Sequence, residues 1–173
     1  TLKIVFSLIE NSTTPLVLDA DALNCVAKQP EILLRKKTSI IITPHPGEMS
    51  RLTGLATPLV NAERQRVALA FAQKYGVVTV LKGAGTVIAS PNGKVLVNPT
   101  GNSGMATGGS GDVLAGMTVS ILAQGASAFS SAAAAVYLHG LAGDIAAEKY
   151  GKISMLPTDL INCIPLAYKR CDF

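Results

Sequence analysis

Tryptophan is absent from this chain, and aromatic residues make up only 5% of it. The core must then be built from Ala, Val, Leu and Ile, and a stacking surface for nucleic acid has little to be made from. Basic residues are scattered: Arg35-Lys36-Lys37 is the only run and Lys169-Arg170 a pair, so the net charge of +4 forms no stripe. That argues against a nucleic-acid partner and suits a small molecule carrying phosphate. Cysteines are few. Cys25, Cys163 and Cys171 are odd in number and lack metal-ligand spacing, so reduced thiols in a cytoplasmic protein, with no resident metal, are expected. Long hydrophobic runs are missing too. The longest, such as 131–138, fall far short of the roughly 20 residues that cross a membrane, and no membrane partner is expected. No charged-then-apolar leader opens the sequence.

What remains is a chain rich enough in aliphatic residues to bury a substantial core. At 173 residues it amounts to one domain or a large piece of one. Residues 2–9, apolar at Leu2, Val5, Phe6 and Ile9, read as the end of a helix. With no initiator Met at Thr1, an N-terminal part is expected to be missing. Three short, continuously apolar runs follow: Leu16-Val17-Leu18, then 39–43, then 77–81. Unbroken β-branched runs suit strands buried on both faces, hence a parallel sheet. Helical patterns lie between them over 22–28 and 61–75, the second closed by Gly76. Strand–helix alternation of this kind reads as α/β. Segments 86–89 and 94–97 flank Pro91-Asn92-Gly93 and predict an antiparallel hairpin. A Gly-rich loop over 100–111 and helices over 112–124, 126–150 and 156–168 complete the chain, with no repeat or interdomain linker.

Each apolar run ends in polar residues: Asp19, Asp21 and Asn24; His45 and Glu48; Lys82 and Thr86. In open α/β sheets ligands bind beyond the carboxyl ends of the strands, so these clusters are expected to converge on one edge. The segment from Asn98 to Gly116 holds six of the 16 glycines and precedes an apolar helix. Glycines let backbone N–H groups turn toward an anion, and the helix adds its positive end. Asp112 stands where that helix starts. Two readings of it stay open: an N-cap, or a general base that takes a hydroxyl proton as phosphate is transferred.

Other residues divide in the same way. His45, between two prolines, fits ligand contact better than a helix or core. Glu48 either contacts ligand or caps a helix opening near Gly47. Lys82 is either solvated or a phosphate contact. Asp19 and Asn24 are turn and capping residues or site residues. His139 and Asp144, in an Ala-rich helix, read as structural, and Arg64 and Arg66 as a solvated helix face.

The string Gly109-Ser110-Gly111-Asp112 resembles the Gly-x-Gly-Asp signature of ribokinase-like kinases. Four stretches in order narrow the resemblance. Val17-Leu18-Asp19-Ala20-Asp21-Ala22-Leu23-Asn24, Thr43-Pro44-His45-Pro46-Gly47-Glu48-Met49, Lys82-Gly83-Ala84-Gly85-Thr86 and 102–116 are all similar to the NAD(P)H-hydrate dehydratase family. The resemblance implies a ribokinase-like three-layer α/β/α fold, with the chain covering the C-terminal two-thirds of a single domain and lacking its N-terminal strands. It implies that ADP or ATP, with Mg²⁺, phosphorylates the ring hydroxyl of (6S)-NAD(P)HX, and that loss of phosphate regenerates NAD(P)H. It implies Asp112 as the catalytic base. His45, Pro46, Gly47, Glu48, Met49, Ser50, Arg51, Asn24 and Asp112 would contact the hydrated cofactor. Lys82, Gly83, Ala84, Gly85 and Thr86 would contact the nucleotide, together with Asn102, Ser103, Gly104, Met105, Ala106, Thr107, Gly108, Gly109, Ser110 and Gly111. Family habit adds a homo-oligomer. A ribokinase-like kinase for a hydroxymethylpyrimidine or thiazole alcohol, and a non-catalytic nucleotide-binding protein, remain as alternatives.

Overall fold

The computed structural model describes residues 1–171. Five strands form one sheet in strictly sequential order. β1 (Leu16–Leu18), β2 (Ile40–Ile42) and β3 (Val78–Leu81) run parallel, with Leu16 opposite Ile40 and Ile41 opposite Val78. β4 (Val87–Ala89) and β5 (Val95–Val97) continue it antiparallel through the hairpin at Gly93. β1 matches its expected run, while β2 is a residue shorter at both ends and β3 at one.

α1 (Leu2–Asn11), α2 (Asp21–Val26), α3 (Pro46–Thr53), α4 (Thr57–Ala62) and α5 (Arg64–Tyr75) pack on one face, around Leu23, Ile42, Met49, Phe71 and Leu81. α6 (Ser110–Ala123), α7 (Ala128–Tyr150) and α8 (Pro157–Arg170) cover the other, around Ile41, Val78, Val80 and Ile88. β2, β3 and β4 are therefore buried on both faces, as unbroken apolar strands require, while the edge strand β5 leaves Leu96 and Val97 exposed. Ile40, Ile41 and Ile42 are each at most 1% exposed.

Two elements differ from expectation. The single helix over 61–75 is two, because the backbone at Glu63 leaves the helical region (φ −123°, ψ 39°) between α4 and α5. A 3₁₀ helix, Pro30–Arg35, fills the crossover from β1 to β2 and buries Ile32 and Leu33, a pair too short to show helical periodicity.

α3 stops at Gly54, which takes the left-handed conformation (φ 75°) while its N–H donates to Ser50 O at 2.8 Å. Nothing lies within 4 Å of where a Cβ would stand there. Gly54→Ala therefore isolates backbone strain, at about 1 kcal/mol. Thermal unfolding is expected to show Tm lowered by about 3 °C for a chain of this size. An unchanged Tm would contradict that account of the helix end.

Candidate functional site

The parallel ladder continues beyond the strands, and this draws the polar residues together. Thr43 N–H donates to Leu18 O at 3.1 Å and Lys82 N–H to Pro44 O at 2.8 Å. Asp19, His45 and Lys82 consequently emerge side by side at the carboxyl edge of the sheet. Lys82 Nζ pairs with Asp19 Oδ1 at 2.7 Å and stands 3.9 Å from Glu48 Oε2, with the Lys82 and Asp19 side chains only 19% and 13% exposed. The lysine is thus neither solvated nor free: two carboxylates hold it. Next to Asp19, Ala20 is the one non-glycine residue at positive φ among the described residues (φ 49°, ψ −120°). Strain of this kind costs on the order of 1–3 kcal/mol and persists only where the surroundings impose it. Here it falls between Asp19, the partner of Lys82, and the first residue of α2. The start of α6 lies against the same pair, since a Cβ on Gly111 would lie 3.5 Å from Lys82 Nζ and 3.8 Å from Asp19 Oδ2.

His45 is the N-cap of α3. Its Nδ1 accepts from Gly47 N–H (3.0 Å) and Glu48 N–H (3.3 Å), and Glu48 Oε2 accepts from His45 N–H (2.8 Å), a reciprocal capping box. Pro46, at the first helical position, is placed where its missing N–H costs nothing. His45 and Pro46 line the cavity described below; the next five residues do not. Met49 is fully buried in the core, so its side chain is turned away from the cavity. Ser50 Oγ donates to Leu55 O (2.6 Å), within its own helix end. Arg51 Nε donates to Asn24 Oδ1 (3.0 Å), so these two lie together but at the surface.

The Gly-rich loop is docked on α7. Gly101 N–H and Asn102 Nδ2 donate to the two oxygens of Asp144 at 2.8 and 2.9 Å, and Asn102 Nδ2 also donates to Gly143 O (3.0 Å). Thr100 Oγ1 donates to Tyr137 O (2.9 Å), and Asn98 Nδ2 to Thr100 O (3.0 Å). The loop approaches so closely that a Cβ on Gly140 would stand 2.8 Å from the Thr100 carbonyl carbon, and one on Gly143 would collide with Met105. At the far end of the loop, His139 Nε2 lies 2.9 Å from Ser110 O. A carbonyl only accepts, so the ring is the donor.

Between this loop, residues 82–86 and the start of α3 lies a cavity of about 760 Å³. That lies within the range of small-molecule and cofactor pockets, about 300–1,000 Å³. Among the residues singled out from the sequence, His45, Pro46, 82–86, Asn102, Ser103, 105–107, Ser110, Gly111 and His139 line it. Gly104, Gly108 and Gly109 do not. Gly104 turns away against Lys152 and Met155, and Gly109, at φ 95°, is the N-cap of α6.

That last fact removes one reading of Asp112: it is the third residue of α6, not its cap. It is exposed, outside the cavity lining, and without a side-chain partner among the described residues. Arg64 departs from expectation in the other direction. It is half-buried rather than solvated, its Nη2 donates to Leu81 O (2.8 Å), and its guanidinium lies beside Gly83. It braces the turn that carries Lys82, a contact across 17 residues that helix periodicity does not reveal.

Burial pushes the His139 imidazole down to about 4 from its ordinary 6.5, the Ser110 contact opposing and the Lys82 charge adding. A histidine depressed in the folded state binds its proton more readily when unfolded, so its stabilising effect is complete above about 6.5. It is lost as pH falls through that window toward 4. The loss is about 3 kcal/mol. Unfolding free energies of wild type and His139→Gln, measured from pH 7 to pH 4, are expected to converge by about that amount; parallel curves would sink the assignment.

Among the described residues no three His, Cys, Asp or Glu side chains cluster as a metal cage, and Asp19 and Glu48 already flank Lys82. Mg²⁺ takes one or two carboxylates together with phosphate oxygens and water, a donor set that an arriving nucleotide would complete. No helix among the described residues is long and apolar enough to cross a membrane.

The sequence model for NAD(P)H-hydrate dehydratase matches residues 1–166. The chain belongs to that family. The ADP-dependent (S)-NAD(P)H-hydrate dehydratase of Neisseria meningitidis is 44% identical over 146 residues, covering 83% of this chain and 49% of that protein. The bifunctional NAD(P)H-hydrate repair enzyme Nnr of Moorella thermoacetica is 42% identical over 172 residues, 99% of this chain and 32% of that one. The ADP/ATP-dependent NAD(P)H-hydrate dehydratase of Bacillus subtilis, co-crystallized with ATP/Mg²⁺, superposes with a TM-score of 0.82 at 37% identity, covering 90% of this chain and 55% of the other. The ribokinase-like α/β fold expected from the motifs is therefore the observed one. The chain spans about half of the single-function relatives and about a third of the bifunctional one.

Proposed function

We propose that the protein carrying this chain is an NAD(P)H-hydrate dehydratase that uses ADP or ATP, with Mg²⁺, to convert (6S)-NAD(P)HX to NAD(P)H. The observation that carries the proposal is the cavity bounded by three of the four motif stretches and walled by α7. The nucleotide binds along residues 82–86 and the loop from Asn102 to Gly111. The hydrated nicotinamide ring enters beside His45 and Pro46, and Asp112 reaches the substrate from the first turn of α6. Asp112 accepts the ring-hydroxyl proton while the hydroxyl oxygen bonds to the terminal phosphorus and the nucleotide leaves. Backbone N–H groups at the start of α6 face the charge that builds on the transferring phosphoryl group. The C–O bond then breaks, phosphate departs, and loss of a ring proton restores the double bond. Mg²⁺ arriving with the nucleotide neutralises phosphate charge. The reading carries with it a homo-oligomer in the cytoplasm, an environment in which free Cys25, Cys163 and Cys171 remain reduced.

The test supplies the intact protein with NADHX, Mg²⁺ and either ADP or ATP, and follows regenerated NADH by absorbance and phosphate by a colorimetric assay. Nucleotide-dependent recovery with equimolar phosphate is expected. A stable phosphate ester with no NADH would identify a small-molecule kinase instead, and binding without turnover a non-catalytic protein.

A further inference from the structure

We propose that α7 sets the two ends of the cavity loop separately, with Asp144 a positioning residue for nucleotide binding and His139 a positioning residue for the chemical step. The inference rests on the reading of the cavity as a nucleotide site. Asp144 does not line the cavity, yet both its oxygens are engaged, by Gly101 N–H and Asn102 Nδ2. Asn102 in turn accepts from Gly104 N–H at 3.0 Å and donates to Gly143 O. One carboxylate therefore fixes residues 101–104, the upstream stretch of the loop. His139 acts a turn earlier on the same helix and eight residues later in the loop, where its Nε2–H holds the Ser110 carbonyl. Ser110 opens α6 and immediately precedes Gly111 and Asp112. Between the two anchors, Gly108 has nothing within 4 Å of a Cβ position. The turn Ser103–Met105 packs with the Asp144 anchor and Gly109 stands against Pro157, so Gly108 is an open position between two separately packed stretches. Gly140 and Gly143, on the same face as the anchors, admit the loop where any side chain would hold it off.

Removal of each anchor then has its own kinetic signature. Hydrogen bonds to a charged acceptor are strong enough that losing two weakens nucleotide binding about tenfold or more. Asp144→Ala is expected to raise the Kd and KM for ADP or ATP by that factor, with kcat at saturating nucleotide within about twofold of wild type. Asp144→Asn keeps the volume and one acceptor; it is expected to shift Kd in the same direction by less, and stands in if the alanine variant does not fold. His139→Ala is expected to lower kcat about tenfold, a larger factor than its rise in nucleotide Kd, since His139 itself borders the cavity. His139→Gln, whose amide N–H can reach the same carbonyl, is expected to recover most of that loss.

The experiment combines calorimetric titration of the intact protein and its variants with ADP and ATP, steady-state kinetics on NADHX, and thermal unfolding. An unchanged Kd in both Asp144 variants overturns the proposal. So does a fall of kcat and affinity by one common factor in every variant, which is the mark of general loosening. If the wild-type protein binds neither nucleotide, the reading of the cavity falls and this inference with it.

Discussion

Asp112→Asn is expected to bind ADP or ATP as wild type does and to lose turnover by about 10²–10⁴-fold, the usual range for general-base assistance. The substitution is nearly isosteric and removes only the ability to take a proton. Asp112 is exposed and unpartnered among the described residues, so its loss should change stability by less than about 0.5 kcal/mol. Unfolding curves that superpose on wild type would then separate chemistry from folding. The position is informative because Asp112 is not the cap of α6, which is Gly109: it stands in the first turn, where the helix dipole favours a carboxylate but no side chain holds it among the described residues. A variant that keeps more than about a tenth of wild-type kcat would remove Asp112 from the mechanism.

The largest stability effect is expected at Asp19. Asp19→Ala leaves the nearly buried Lys82 ammonium with only Glu48, at 3.9 Å, and costs about 3 kcal/mol, the lower end for breaking a buried pair. Chemical denaturation measures this directly. Replacing both partners, as Asp19→Ala with Lys82→Met, removes the stranded charge and is expected to recover most of the stability. If the double variant is no more stable than Asp19→Ala, the cost comes from the strained turn at Ala20 and not from the ion pair. Nucleotide titration of the same set has a second use. Lys82 lines the cavity while tied to Asp19, so an Asp19 variant that weakens nucleotide binding would show that the pair orients the lysine for its ligand.

The parts of this architecture that are local in sequence were readable from it. Three β-branched runs marked the parallel strands, and the polar residues after each run marked the edge where Asp19, His45 and Lys82 meet. Asn92-Gly93 marked the hairpin. What escaped depends on distant contacts. Arg64 looked like a surface residue because its partner, Leu81 O, belongs to the next strand. His139 and Asp144 read as structural, and they are hydrogen-bonded, but the partners are in the cavity loop, 29 and more than 40 residues away. Met49 shares a motif with His45, yet it is the fourth residue of α3 and points to the core. A motif names neighbours in the chain, and a helix sends those neighbours in different directions.

The sequential strand order has a consequence for synthesis. Each strand pairs with the one made just before it, so the sheet can grow as the chain leaves the ribosome, without the delay that distant pairings impose. Its two faces are not completed together. Among the described residues, helices α1–α5 precede β4, whereas α6–α8, which cover the face bearing Ile41, Val78, Val80 and Ile88, follow the last strand. Until those last helices are translated, a sheet already formed shows one bare aliphatic side, and that interval is when a nascent chain is most exposed to aggregation and most dependent on chaperones.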